Sequence, residues 1–196
     1  MSSFRFNPAT ALVLLFIVLT GALRVFFNFN LDNGRISEVA LYSPIGAMAL
    51  FGGARFNSGW KAFLFPLGTL FLSDVLLHQT VFAPYSDGLL YSGWYWVYGA
   101  FVLMVLAGRL LMKEASTSRF LLSVLVAVLI HWIVTDIPVW LGSKVFAQNL
   151  GGFIDCLTAA IPFELRFLLS TLVYGSVLFG GFALLQQRSR DVQVAK

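Results

Sequence analysis

Charge is scarce in this chain. Asp, Glu, Lys and Arg make up 11% of its 196 residues, while 59% are hydrophobic. Soluble domains carry roughly 25% charged residues. A core of this size fills long before it absorbs so much apolar surface. The shortage excludes an ordinary soluble fold, and the excess apolar surface has to face lipid. Cysteine is nearly absent too: Cys156 stands alone, which excludes an intramolecular disulfide and any cysteine-built zinc or iron–sulfur site. There are two histidines, His78 and His131. Counted along their apolar segments, they differ in depth by about 9 Å, too much for the axial ligands of one haem. No metal and no cofactor is therefore expected. The chain also lacks HExxH, GxSxG and P-loop motifs, so no enzyme class is indicated. No period of 20–50 residues repeats, which excludes solenoids. No linker is rich in Pro or Ser, so residues 1–187 read as one transmembrane domain and 188–196 as a short cytoplasmic tail.

What is present is apolar and aromatic, including 20 Phe and 5 Trp. Six apolar segments can be counted: Thr10–Phe27, Val39–Ala54, Trp60 to about Phe82, Leu89–Gly108, Phe120–Leu141 and Phe167–Leu185. The first resembles a signal peptide at its start but is long enough to be kept as a span. The second is short and carries Pro44, Gly46, Gly52 and Gly53, which points to a tilted, broken or re-entrant element sheltered by protein. The stretch Gly151–Arg166 reads as an interfacial helix broken at Pro162. The fold expected is an all-α membrane protein, a bundle of six transmembrane helices. Small residues four apart, Ala49 with Gly53, Thr171 with Gly175 and Ser176 with Gly180, allow close helix approach in lipid.

Basic residues set the orientation. Placing both termini in the cytoplasm puts nine of the thirteen Lys and Arg residues inside. The net charge of +4 is thereby explained by loop anchors, with no nucleic-acid partner. In this topology Asp74, His78 and Asp136 fall in the outer halves of segments three and five. Arg24, Glu164 and Arg166 lie near outer helix ends, and Asn28, Arg35 and Asp87 lie in outer loops. Tyr42, Tyr91, Trp94 and Trp140 add aromatic surface on the same side. Ionisable groups inside a membrane span normally face a cavity or a partner. Their convergence with aromatic walls on one face describes a solute pocket open to that face. An alternative reading of the same acids, compatible with a pocket, is a lock in which Asp74 and Asp136 pair with Arg24 and Arg166. His131, four residues before Thr135, is expected to make a structural hydrogen bond.

Three stretches carry a resemblance. They are Ser43-Pro44-Ile45-Gly46-Ala47-Met48-Ala49-Leu50-Phe51-Gly52-Gly53-Ala54, then Phe65-Pro66-Leu67 running into Leu72-Ser73-Asp74, and Thr135-Asp136 with Ile161-Pro162-Phe163 and Phe179-Gly180-Gly181. Together they resemble a bacterial domain-of-unknown-function family described as putative transport proteins. That family is similar to the S components of energy-coupling-factor (ECF) transporters and to a solitary S-component family proposed to carry cobalamin. The resemblance implies capture of a vitamin- or cofactor-class solute from outside, across the bacterial inner membrane. Segment one lacks the Ala-x-x-x-Ala stripe with which S components dock an ATP-driven coupling module. The solitary family's cysteine after its Leu-Ser-Asp segment has no counterpart here, and His78 is the imidazole in that region.

The leading expectation is thus a membrane subunit that transports a small solute, with Asn28, Arg35, Tyr42, Asp74, His78, Asp87, Tyr91, Trp94, Asp136, Trp140 and Arg166 as its site. One rival is a membrane enzyme using Asp74, His78 and Asp136. The other is a structural subunit without a ligand.

Overall fold

The computed structural model describes Leu15, Leu19 and Ala22, all helical, and residues 43–56, 59–80, 88–114 and 116–194, with side chains as far as 187. Five helices follow in order: α1 Ile45–Arg55, α2 Gly59–Thr80, α3 Trp94–Leu111, α4 Thr117–Gly142 and α5 Leu150–Val194. The last four are long and apolar enough to cross a membrane. Their exposed surfaces confirm the solvent they are built for. Leu121, Leu125, Leu129 and Ile133 form an exposed stripe on α4, and Leu165, Leu169, Val173 and Val177 form another on α5. Residues four apart share a helix face, so each stripe is a continuous apolar wall offered to lipid. This is a multi-pass membrane protein.

The expected count of six spans is not reached among the described residues. The first apolar segment lies largely outside them. The second becomes α1, whose 11 residues cover about 16 Å, half of a hydrocarbon core of about 30 Å. It does not meet lipid: every residue from Ile45 to Gly53 is buried. α2, α3 and α5 enclose it, and the sheltered element expected from its glycines is what the structure shows. Its small residues explain the tight fit. A Cβ on Gly53 would strike the backbone of Val105 and Arg109, and one on Gly108 would strike the backbone of Leu50. The two glycines thus bring α1 and α3 together backbone to backbone. A Cβ on Gly52 would come within 2.7 Å of the Ala62 carbonyl. That carbonyl is the one left without a helical partner by Pro66, four residues on, which has no N–H. Around α1 pack Phe101, Met104 and Val105 of α3, Val124 and Ala127 of α4, and Phe167 of α5.

Two boundaries differ from those read in the sequence. The fourth segment starts at Trp94, not Leu89, because Gly93 takes a left-handed φ of 78° and sets the helix start there. The stretch Gly151–Arg166 is not a broken interfacial helix. It is the first part of α5, which continues through Pro162 and onward through residues 188–194. α4 and α5 form an antiparallel hairpin: Phe120 packs on Phe179, His131 on Phe167 and Trp140 on Phe153. Neighbouring helices support α5 across Pro162, where its own hydrogen-bond ladder is interrupted.

Candidate functional site

Ten polar or charged residues are buried among those described, and the acids fall into two groups. The first is on α2 and α3. Asp74 and His78, one turn apart on α2, are both buried. The Tyr98 hydroxyl of α3 donates to Asp74 Oδ2 at 3.2 Å. Trp94, one turn earlier on α3, meets the Tyr98 ring edge to face at 5.2 Å between centroids. Tyr91 lies just before α3, and its carbonyl accepts the Trp94 N–H at 3.3 Å. Asp74, His78, Tyr91 and Trp94 are therefore brought to one end of the α2–α3 pair. Tyr98, which joins them, was not singled out by the sequence reading.

The second group is on the α4–α5 hairpin. His131 Nδ1 lies 2.8 Å from Glu164 Oε1. The imidazole stacks on Phe167, at 4.2 Å between centroids and 21° between planes. Phe101 of α3 presents its edge to the same ring from 6.1 Å. Asp136, further along α4, is buried. Cys156 of α5 is also buried. The expected hydrogen bond of His131 is present, and its partner is Glu164. The pairing of Asp136 with Arg166 that the lock reading requires is not formed. Asp136 Oδ2 is buried without a hydrogen-bond partner, as is Glu164 Oε2, while the Arg166 guanidinium lies 5.9 Å over Phe163.

The two groups sit at neighbouring depths. Phe101 touches His131, and Tyr98 is one turn away from Phe101 on α3, about 4.5 Å along the axis. α3 thus stands between two acid-bearing groups that differ by one turn. His131 is the fifteenth residue of the 26-residue α4, about 21 Å from its start and far from either end. Trp140 is committed elsewhere. Its Nε1 donates to the Ala147 carbonyl at 2.8 Å and its ring packs on Phe153, so it closes the connection between α4 and α5. Asn28, Arg35, Tyr42 and Asp87 lie outside the described residues, as does Arg24. No group of three or more His, Cys, Asp or Glu side chains suited to a metal ion occurs among the described residues.

A family model matches residues 4–193. The chain belongs to the family of unknown function DUF6580. No curated protein and no solved structure matches it. The DUF6580 match runs almost end to end, so both buried acid groups lie within the family's region. Nothing in that match speaks to what the acids do.

Glu164 is the functional candidate that the sequence reading placed at a helix end and left out of the site. A signal for it existed. In an antiparallel hairpin, residues at similar distances from the turn face each other, and His131 and Glu164 flank the 143–149 connection in that way.

Proposed function

We propose that this protein captures a small solute at the outer face of a bacterial cytoplasmic membrane and passes it inward, as a membrane subunit similar to an ECF S component. The full chain then has six spans with both termini in the cytoplasm. The solute class is that of vitamins and cofactors, with cobalamin-like compounds among them. An ATP-driven module is the coupling partner implied by the resemblance. One observation carries the reading: Asp136 and Glu164 are each more than nine-tenths buried inside membrane helices, and each keeps one carboxylate oxygen without a hydrogen-bond partner. Leaving such acceptors unpaired costs about 1–3 kcal/mol each, more when charged. Acids kept at that cost within spans mark solute or ion paths. The free oxygens are acceptors for the hydroxyl, amide or amine groups of a polar solute. Asp74, Tyr98 and Trp94, one turn away across α3, supply a further acid and aromatic surface.

The His131–Glu164 contact favours a second reading, in which the buried groups clamp α4 to α5 and bind nothing. Native mass spectrometry of gently purified protein separates the two. Transport predicts a co-purifying small molecule with the wild type that is lost from Asp136→Asn and Asp74→Asn while both variants stay monodisperse. A wild-type protein that carries no such molecule, with variants that only lose stability, supports the clamp.

A further inference from the structure

At the end of the bundle away from Trp140, a cavity of about 380 Å³ opens between the carboxyl end of α1, the α3–α4 connection and α5. Among the described residues its polar lining is Arg55, Ser116, Thr117 and Ser176, with no acid. Phe120 and Phe179 form part of its apolar wall. We propose that this cavity seats the phosphate of an anionic phospholipid from the surrounding bilayer. The proposal is independent of the transport reading.

Arg55 is the centre of the argument. Its guanidinium carbon lies 5.6 Å from the Phe179 centroid and 5.2 Å from that of Phe182. These rings hold the cation in place but use none of its N–H groups in a hydrogen bond. Nε is buried with no partner, and the ion pairs among the described residues, Arg119–Glu114 and His131–Glu164, do not involve Arg55. A planar guanidinium presents five donors suited to phosphate oxygens. Ser116 Oγ accepts the Arg119 N–H at 3.2 Å, which leaves its own proton to donate. Ser176 gives its proton to the Leu172 carbonyl at 2.7 Å and so contributes little to an anion. The cavity therefore offers one unpaired cation and hydroxyl donors, with the amino end of α4 adding partial positive charge.

Position and composition narrow the ligand. α3 ends at Leu111 and α4 begins at Thr117. The cavity lies where these spans end, at the depth of lipid headgroups. A phosphate on Arg55 leaves the rest of a lipid to run over Phe120 and Phe179 toward the exposed apolar stripe that starts at Leu121. A zwitterionic headgroup would bring an ammonium to a cavity whose described lining residues hold no carboxylate to receive it.

The test is native mass spectrometry of delipidated full-length protein given phosphatidylglycerol or phosphatidylcholine. Two variants are compared with the wild type. Arg55→Gln removes the cation. Gly180→Leu fills the cavity from a cavity-lining position where an added Cβ meets nothing within 4 Å. The wild type should hold phosphatidylglycerol in preference to phosphatidylcholine. Arg55→Gln should weaken that binding by about tenfold, the effect of losing a charge-assisted contact, and Gly180→Leu should weaken it by occupying the seat. Phosphatidylglycerol binding unchanged in Gly180→Leu overturns the site, and unchanged binding in a folded Arg55→Gln overturns the role of the cation. Displacement of the lipid by millimolar inorganic phosphate identifies free phosphate as the ligand and overturns the lipid assignment.

Discussion

His131 and Glu164 meet across the interface of α4 and α5, Nδ1 to Oε1 at 2.8 Å, with Phe167 of α5 lying flat beneath the imidazole. Phe167 is one turn beyond Glu164, so a single face of α5 both bonds the ring and supports it. Their side chains are 14% and 8% exposed, which makes each the other's main substitute for water. Removing one strands the other. Glu164→Ala and His131→Ala should each cost about 1–3 kcal/mol, the range for leaving a buried polar group unsatisfied. The double variant should cost clearly less than the sum, because contacting residues are not additive. Reversible unfolding in micelles, read as a double-mutant cycle, checks this. Strict additivity would show that the contact contributes nothing to stability.

The Asp74–Tyr98 bond joins α2 to α3 at 3.2 Å. Tyr98→Phe deletes only the donor and should lower stability by about 0.5–1.5 kcal/mol. Asp74→Asn retains the shape and removes the charge. On the proposed function, it abolishes solute binding while the protein remains inserted and monodisperse. Measuring bound solute and particle homogeneity on the same preparation distinguishes a binding role from a purely architectural one. Aggregation of Asp74→Asn would favour the latter.

Close approach of α1 and α3 makes a sharp claim about size. Gly53→Ala and Gly108→Ala place a methyl group against the opposite backbone and should destabilise by about 1–3 kcal/mol, as overpacking does. Gly99, on the same α3, has nothing within 4 Å of an added Cβ. Gly99→Ala should be neutral or slightly stabilising, since alanine is the better helix former. Thermal denaturation of the three variants side by side is sufficient. Equal loss in Gly99→Ala would mean that helix flexibility, not the α1–α3 contact, explains the effect.

Orientation can be read from two positions at opposite ends of the bundle. Val145, in the connection between α4 and α5, is 86% exposed, and Lys113, just after α3, is exposed as well. With Cys156 changed to serine, a membrane-impermeant maleimide applied to intact spheroplasts should label Val145→Cys. Lys113→Cys should react only after permeabilisation. The opposite result would place Asp74 and Asp136 toward the cytoplasm and reverse the proposed direction of capture.

Much of the architecture was legible because apolar runs of about 20 residues have few alternatives to a membrane helix. α2, α3 and α4 fall where such runs predict them, and the glycine-rich segment is indeed the sheltered one. The join at Gly151–Arg166 was misread because Pro162 removes a helical hydrogen bond and normally ends a run. Packing against α4 keeps the helix intact there, and that support is invisible along the sequence. The misreading had a cost for the site. With α5 divided at residue 166, Glu164 looked like a helix-end charge and not a residue facing His131. Tyr98 was missed for a different reason: a tyrosine in an apolar run has no marker that sets it apart from ordinary core. Asp136 was found because a lone carboxylate inside a span is conspicuous, but its unpaired oxygen appears only in three dimensions.

The order of synthesis has a bearing on α1. It emerges before α3 and α5, which wall it in, and at about 16 Å it is too short to rest across a bilayer unaided. Gly46 finally packs against Thr171, about 125 residues later, a delay of roughly 6–25 s at common translation rates. During that interval the glycine-rich helix has α2 and then α3 beside it but lacks its α5 wall. Its last wall is supplied by α5, the last of the described helices, so chains shortened before Phe167 leave the glycines of α1 facing an open side.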